Sequence, residues 1–223
     1  MRALLLLPFL AACAAPAPPS SGTGILAVGD SVMAWNGGRG IPEAVAATLD
    51  RPVTDASRSG AHLTHPSAAA AALGFDVSRQ ASAEGWDWVI LTGGGNDLRG
   101  ACGTAEERAV LDGIVDERLR GDLPALVGRL RAAGAKVAYL GYYDPSTDGA
   151  TAFTPCERAF DAINARMARL AARDRGLVVL DAGRVVDRAD RGAYAADLIH
   201  PSPRASAAIG RALAEAMRGA EAG

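Results

Sequence analysis

The chain has 223 residues, 49% of them hydrophobic and 22% charged, enough to enclose one substantial core and too few for two full-sized domains. Its 23 Lys and Arg against 25 Asp and Glu leave a formal charge of −2, so no strong basic field exists to attract nucleic acid. Aromatic residues make up only 5%, which also argues against a stacking platform for single-stranded nucleic acid or long sugar chains.

At the N-terminus, Arg2 precedes an apolar run from Ala3 to Ala12, far short of the roughly 20 residues that span a bilayer as a helix. Residues 1–12 therefore read as an export signal. The run ends Leu10-Ala11-Ala12-Cys13. This resembles the bacterial lipobox, and the resemblance implies that Cys13 becomes the lipid-modified mature N-terminus and anchors the protein to a membrane. An ordinary secretory signal cleaved nearby is the alternative. Residues 13–24 are rich in Pro, Ser, Gly and Ala without a periodic apolar face and read as a flexible tether. The folded domain is expected over 25–219. Either reading of the leader puts that domain outside the cytoplasm, in the periplasm. Ala14 is not the acidic residue that holds some lipoproteins at the inner membrane, which points to the outer one.

Short apolar runs then alternate with helical stretches. Ile25 to Val28, Val89 to Leu91, Val137 to Leu140 and Leu177 to Leu180 are each bounded by Gly or polar residues and read as strands buried on both faces, the mark of a parallel sheet. Pro52 to Ser57 is a weaker candidate, suited to an edge. Helices are expected over Pro42 to Leu49, Glu106 to Ala133 with a break near Pro124, Cys156 to Arg175, and Pro203 to Arg218. The last opens with Ser202-Pro203, a capping residue followed by Pro in the first turn. This rhythm predicts an α/β fold: a three-layer α/β/α sandwich on a mainly parallel five-stranded sheet, flavodoxin-like.

In open parallel sheets ligands sit beyond the carboxyl ends of the strands. The residues there are Gly29-Asp30-Ser31 after the first strand, Ser59-Gly60 after the second, Gly94-Gly95-Asn96-Asp97 after the third, and Asp197-Leu198-Ile199-His200 beyond the last. Together these segments resemble the four sequence blocks of the SGNH, or GDSL-type, hydrolases over about Ile25 to Arg218. The resemblance implies a serine esterase without a cofactor. Within it Ser31 is the nucleophile, His200 the base that takes the serine proton, and Asp197 the carboxylate that orients the imidazole. It also implies an oxyanion hole built from the backbone N–H groups of Ser31 and Gly60 and the side-chain amide of Asn96. The block around Asp55 departs from the family pattern, which commonly has Asn there. Asp30 and Asp97 are expected to serve turn geometry.

The remaining features are less specific. Cys102 and Cys156 would pair as a disulfide in an oxidising compartment, closing a loop of about 55 residues worth on the order of 3 to 4 kcal/mol in the chain-entropy model; two unpaired thiols are the alternative. His62 and His65 have no third ligand nearby, so a metal is not expected. Gly93-Gly94-Gly95 lacks the residues of a phosphate-binding loop, and Ser31 is not in a GxSxG elbow. The segment from Gly141 to Thr154 falls on the active-site rim. Tyr142, Tyr143 and Phe153 there, with Trp35 after the nucleophile, are candidate walls for an acyl group or sugar ring, or else core residues. The expected substrates are small acyl esters or O-acetyl groups on envelope carbohydrate. The alternatives are a lipolytic enzyme or acyltransferase of the same fold, and a non-catalytic envelope lipoprotein that binds glycan.

Overall fold

The computed structural model describes residues 24–81 and 85–222. The expected export signal, Cys13 and the expected tether up to residue 23 lie outside them. In chain order the elements are β1 (Gly24–Val28), α1 (Ser31–Ala34), α2 (Ile41–Leu49), β2 (Val53–Asp55), α3 (Ala68–Ala70), α4 (Val77–Gln80), β3 (Trp86–Leu91), α5 (Gly95–Leu98), α6 (Glu107–Ile114), α7 (Asp122–Ala132), β4 (Lys136–Leu140), α8 (Glu157–Ala171), β5 (Leu177–Leu180) and α9 (Pro203–Ala222). Gly24, assigned above to the tether, pairs instead with Trp86 as the first residue of β1.

The five strands form one parallel sheet in the order β2-β1-β3-β4-β5. The chain leaves β1 for the edge at β2, then returns across β1 to β3, so the topological switch point lies between β1 and β3. The central strands β1, β3 and β4 are buried almost throughout, as their unbroken apolar runs require. The expectation of two-faced burial does not hold for β5. It is the second edge, and its last three residues are only partly covered.

Helices cover both faces. On one side α2 packs against α9, and α9 also meets β4 and β5; elsewhere α7 lies on β4, α8 on β5, and α6 between α7 and α8. The expected break near Pro124 falls earlier. Pro124 sits in the first turn of α7, where its missing N–H has no intrahelical partner to lose. The chain instead breaks after Ile114, where Asp116 accepts from the backbone of Arg118 and Arg120 and Gly121 takes a φ of 131°. The helix expected from Cys156 to Arg175 ends at Ala171, where Arg173 and Asp174 turn back on the carbonyls of Leu170 and Ala171. In contrast, α9 runs past Arg218, because Glu221 in its last turn accepts from the Trp88 indole at 2.7 Å and pairs with Arg51. Cys102 and Cys156 form a disulfide with 5.0 Å between their Cα atoms.

Candidate active site

Ser31 is the first residue of α1, directly beyond β1. The turn demands glycine at position 29, because a Cβ there would lie 2.5 Å from Thr92 Cγ2 and 2.9 Å from the Thr92 carbonyl. Asp30 caps α1, its Oδ1 accepting from Val32 N–H at 2.9 Å, as expected of a turn acceptor. Its Oδ2 also accepts from the Tyr142 hydroxyl at 2.6 Å, and the same hydroxyl oxygen accepts from Gly95 N–H at 2.7 Å. Burial pushes the Asp30 carboxyl above its ordinary value, against the Tyr142 and Val32 hydrogen bonds that lower it.

The second segment is held to the first by Arg58 N–H donating to Gly29 O at 3.0 Å. Gly60 has a φ of 83°, a left-handed conformation that favours glycine. Gln80, which no motif or periodicity singles out, ties the first segment to the backbone of Gly74. Its amide oxygen accepts from Gly29 N–H at 2.7 Å while its amide nitrogen donates to Gly29 O and Gly74 O.

Asn96 stands on the first turn of α5, beyond β3. Its Nδ2 donates to Ala61 O at 2.9 Å, which leaves the second amide hydrogen for another acceptor. The neighbouring Asp97 does more than shape its own turn, because Oδ2 accepts from Leu63 N–H at 2.9 Å and pins residues 61–63 beside α5. Burial pushes the Asp97 carboxyl up, the Leu63 hydrogen bond and the His62 ring opposing it.

In the fourth segment Leu198 takes a left-handed φ of 59°, which folds the chain so that Asp197 reaches His200. Asp197 Oδ2 lies 2.6 Å from His200 Nδ1, and Oδ1 accepts from the backbone N–H groups of Ile199 and His200, both at 3.0 Å. Partial burial pushes the Asp197 carboxyl up, but the His200 ring and these two N–H groups together bring it below its ordinary value. The other ring nitrogen, His200 Nε2, is buried without a hydrogen-bond partner.

A pocket lies on this rim. Ser31, Asn96, Tyr142, Tyr143, Phe153 and Leu198 are among the residues lining it, and its accessible volume is about 40 Å³. Three of the four candidate wall residues are thus at the pocket. Trp35 is not: its indole stacks on the His200 ring, centroids 3.8 Å apart. Gly60 and His200 are not among the lining residues, although Leu198 and Ile199, next to His200, are. Among the described residues no hydrogen bond joins Ser31 to His200. Hydrogen bonds of this kind are often long in ligand-free enzymes and tighten with substrate. His62 and His65 meet edge to face at 5.4 Å, and His65 Nδ1 accepts from Ser67 N–H.

The family model described as "GDSL-like Lipase/Acylhydrolase family" matches residues 27–208. Among solved structures, a protein of Slackia heliotrinireducens classed as an SGNH hydrolase is 22% identical, with a TM-score of 0.60 over 88% of this chain and 100% of its own. The esterase EstA of a Pseudoalteromonas species, inhibited by monoethylphosphonate, is 19% identical, with a TM-score of 0.56 over 90% of this chain and 100% of its own. A family 2 carbohydrate esterase of Corynascus thermopiles with a carbohydrate-binding domain is 18% identical, with a TM-score of 0.59 over 94% of this chain and 69% of its own. No curated protein sequence matches. The structures agree on the fold, and the family match extends over every segment of the rim from Ser31 to His200: the chain is an ester hydrolase of the GDSL-like lipase/acylhydrolase family.

Proposed function

We propose that the protein is a serine esterase that removes short acyl groups, O-acetyl groups on envelope carbohydrate being the intended class, from outside the cytoplasm. Ser31 Oγ attacks the ester carbonyl while its proton passes to His200 Nε2. The negative charge that develops on the carbonyl oxygen is received by Ser31 N–H, Gly60 N–H and the free amide hydrogen of Asn96. Collapse breaks the ester C–O bond, and His200 returns the proton to the leaving alcohol. Water then attacks the acyl-enzyme by the same proton route and releases the acid.

The observation that carries this reading is the state of His200. Its Nδ1 is held at 2.6 Å by a carboxylate whose own pKa is held low, while Nε2 is buried and unpartnered. An imidazole so held has one nitrogen fixed as N–H and the other left as a base. The short-acyl preference rests on the pocket. The pocket is open to solvent, and its accessible volume of about 40 Å³, room for only a few waters, favours a small acyl group such as acetyl. Carbohydrate is supported only by analogy with the carbohydrate esterase among the structural neighbours. The extracytoplasmic setting draws support from the Cys102–Cys156 disulfide, a bond that persists in oxidising compartments, while Cys13 as a lipid anchor rests on the lipobox resemblance of Leu10 to Cys13.

The test is a panel of p-nitrophenyl esters from acetate to palmitate, assayed with the protein and its Ser31→Ala and Asn96→Ala variants. Turnover should be greatest on acetate and abolished by Ser31→Ala. Loss of one oxyanion donor in Asn96→Ala should cost about 10²–10³-fold in kcat. A preference for long chains would replace the short-acyl reading with a lipolytic one, and full activity in Ser31→Ala would overturn the mechanism.

A further inference from the structure

Trp35 and His200 lie face to face, with ring centroids 3.8 Å apart and planes 10° from parallel. The indole therefore covers one face of the imidazole, a role other than the substrate wall expected above. Its place in the chain gives this contact meaning. Trp35 is the residue that closes α1, the helical turn opened by Ser31, so the nucleophile and the ring that covers its base are rigidly linked through one turn.

The next residue strengthens the link. Asn36 takes a left-handed φ of 66°, a conformation that Asn tolerates better than most side chains. Its amide nitrogen donates to Pro201 O at 2.8 Å and to Ser206 Oγ at 3.0 Å. Two consecutive residues of the nucleophile segment thus grip the base segment, one through the His200 ring and one through the backbone beside it. Asp197 fixes one ring atom of His200 through Nδ1. A single hydrogen bond leaves the ring free to tilt, and a stacked face removes that freedom.

We propose that Trp35, supported by Asn36, is a positioning residue for His200. The indole face sets the plane of the imidazole so that Nε2 points to Ser31 Oγ, and it receives the imidazolium charge that forms when the serine proton is taken. This inference rests on the reading of Ser31, His200 and Asp197 as the reacting set. When Ser31 Oγ bonds to the carbonyl carbon, its proton moves to Nε2 and the imidazole becomes a cation. That cation lies against a π face, whose negative charge density stabilises it, the more so where water is excluded. Misorientation of the base adds to the loss when the indole is removed.

The full chain with Trp35→Leu and Trp35→Phe tests the proposal. On p-nitrophenyl acetate, Trp35→Leu should lower kcat about 10-fold or more with KM within about twofold, a loss confined to the transition state, while Trp35→Phe keeps most of the activity. The rate of Ser31 labelling by an alkyl phosphonate should fall in parallel. In the NMR spectrum the His200 ring protons of the wild type should be shifted upfield by the indole ring current and return towards ordinary positions in Trp35→Leu. A raised KM with unchanged kcat would make Trp35 a substrate wall and overturn the proposal. Equal losses in Phe and Leu variants, or His200 protons that do not move, would do the same. If Trp35→Leu does not fold, the wild-type and Trp35→Phe spectra and rates decide. Failure of the triad reading is told apart by the wild type: it would neither turn over nor label at Ser31, whatever the His200 resonances do.

Discussion

At the scale of single residues, the site is organised by a buried hydroxyl. Tyr142 donates to Asp30, the cap of the helix that Ser31 opens, and accepts from Gly95 N–H, beside Asn96. It therefore joins the ends of β1 and β3 across the switch point, which sets the distance between Ser31 and Asn96. Tyr142→Phe removes a donor from a carboxylate that is 2% exposed and strands the Gly95 N–H. Hydrogen bonds to charged groups contribute about 1.5–3 kcal/mol, so a stability loss of about 2 kcal/mol is expected in chemical unfolding. The loss depends on pH with a definite sign. Burial raises the Asp30 carboxyl in the folded state, so its protonated form is favoured there, and stability linked to it is present at acid pH and lost as pH rises through the raised value. Tyr142 opposes that rise. The Tyr142→Phe penalty should therefore be greatest near neutral pH and shrink on acidification; a penalty that grew towards acid would contradict this account. Asp30 was legible in the sequence as a turn acceptor, since a Gly-Asp-Ser turn after a strand says as much. Its partner was not legible, because Tyr142 is 112 residues away and no local pattern announces a hydrogen bond across a sheet. Distance along the chain likewise hid Gln80, 51 residues from Gly29, and the stacking of Trp35 on His200.

Among the elements, α2 and α9 meet through small residues. A Cβ on Gly210 of α9 would lie 2.5 Å from Ala44 Cβ and 2.8 Å from the Ile41 carbonyl oxygen in α2. Neither atom is the far end of a flexible side chain, so the helices must separate to admit it. Overpacking of this kind costs about 1–3 kcal/mol, while Ala gains about 1 kcal/mol over Gly in helix propensity. Since the clash is with backbone, the overpacking cost wins, and Gly210→Ala should lower stability by up to about 2 kcal/mol. Gly128 in α7 supplies the opposite sign: it is exposed, with nothing within 4 Å of where its Cβ would lie. Gly128→Ala should raise stability by about 0.5–1 kcal/mol. Thermal unfolding of the two variants side by side checks both, and a drop in midpoint for Gly128→Ala or a rise for Gly210→Ala would show that packing is not what sets these positions. The strands were the easiest elements to read, because burial on two faces leaves only apolar runs between turn residues. Helix ends were harder. What extends α9 to Ala222 is the pairing of Glu221 with Trp88 and Arg51, and what shifts the break between α6 and α7 is an Asp116 turn; neither depends on the periodicity that locates a helix.

For the molecule as a whole, the order β2-β1-β3-β4-β5 explains why Ser31, Asn96 and the segment that ends at His200 meet at one pocket at all. The first two leave neighbouring strands at the switch point, and the last returns after β5 on a loop held by Tyr143, whose hydroxyl donates to Ile199 O at 2.7 Å. The four sequence segments were legible together because each follows an expected element; the pocket's size, set by side chains from the 141–154 loop, was not. That loop is secured at its far end by the disulfide. Cys156 follows Phe153 by three residues and opens α8, while Cys102 follows the helical turn that carries Asn96. The bond thus joins the pocket wall to the segment that carries Asn96, and it spans a sequence separation of 54. For a loop of that length the chain-entropy model gives about 4 kcal/mol, a large share of the roughly 5–15 kcal/mol that a domain has in total. Cys102→Ser with Cys156→Ser should therefore lower the guanidinium midpoint markedly. The slope of the transition should rise, because an uncrosslinked unfolded chain exposes more surface. In the wild type a reductant should reproduce the shift, and in the double variant it should change nothing. A wild-type midpoint insensitive to reductant, together with two alkylatable thiols, would mean that the two segments are held together by packing alone.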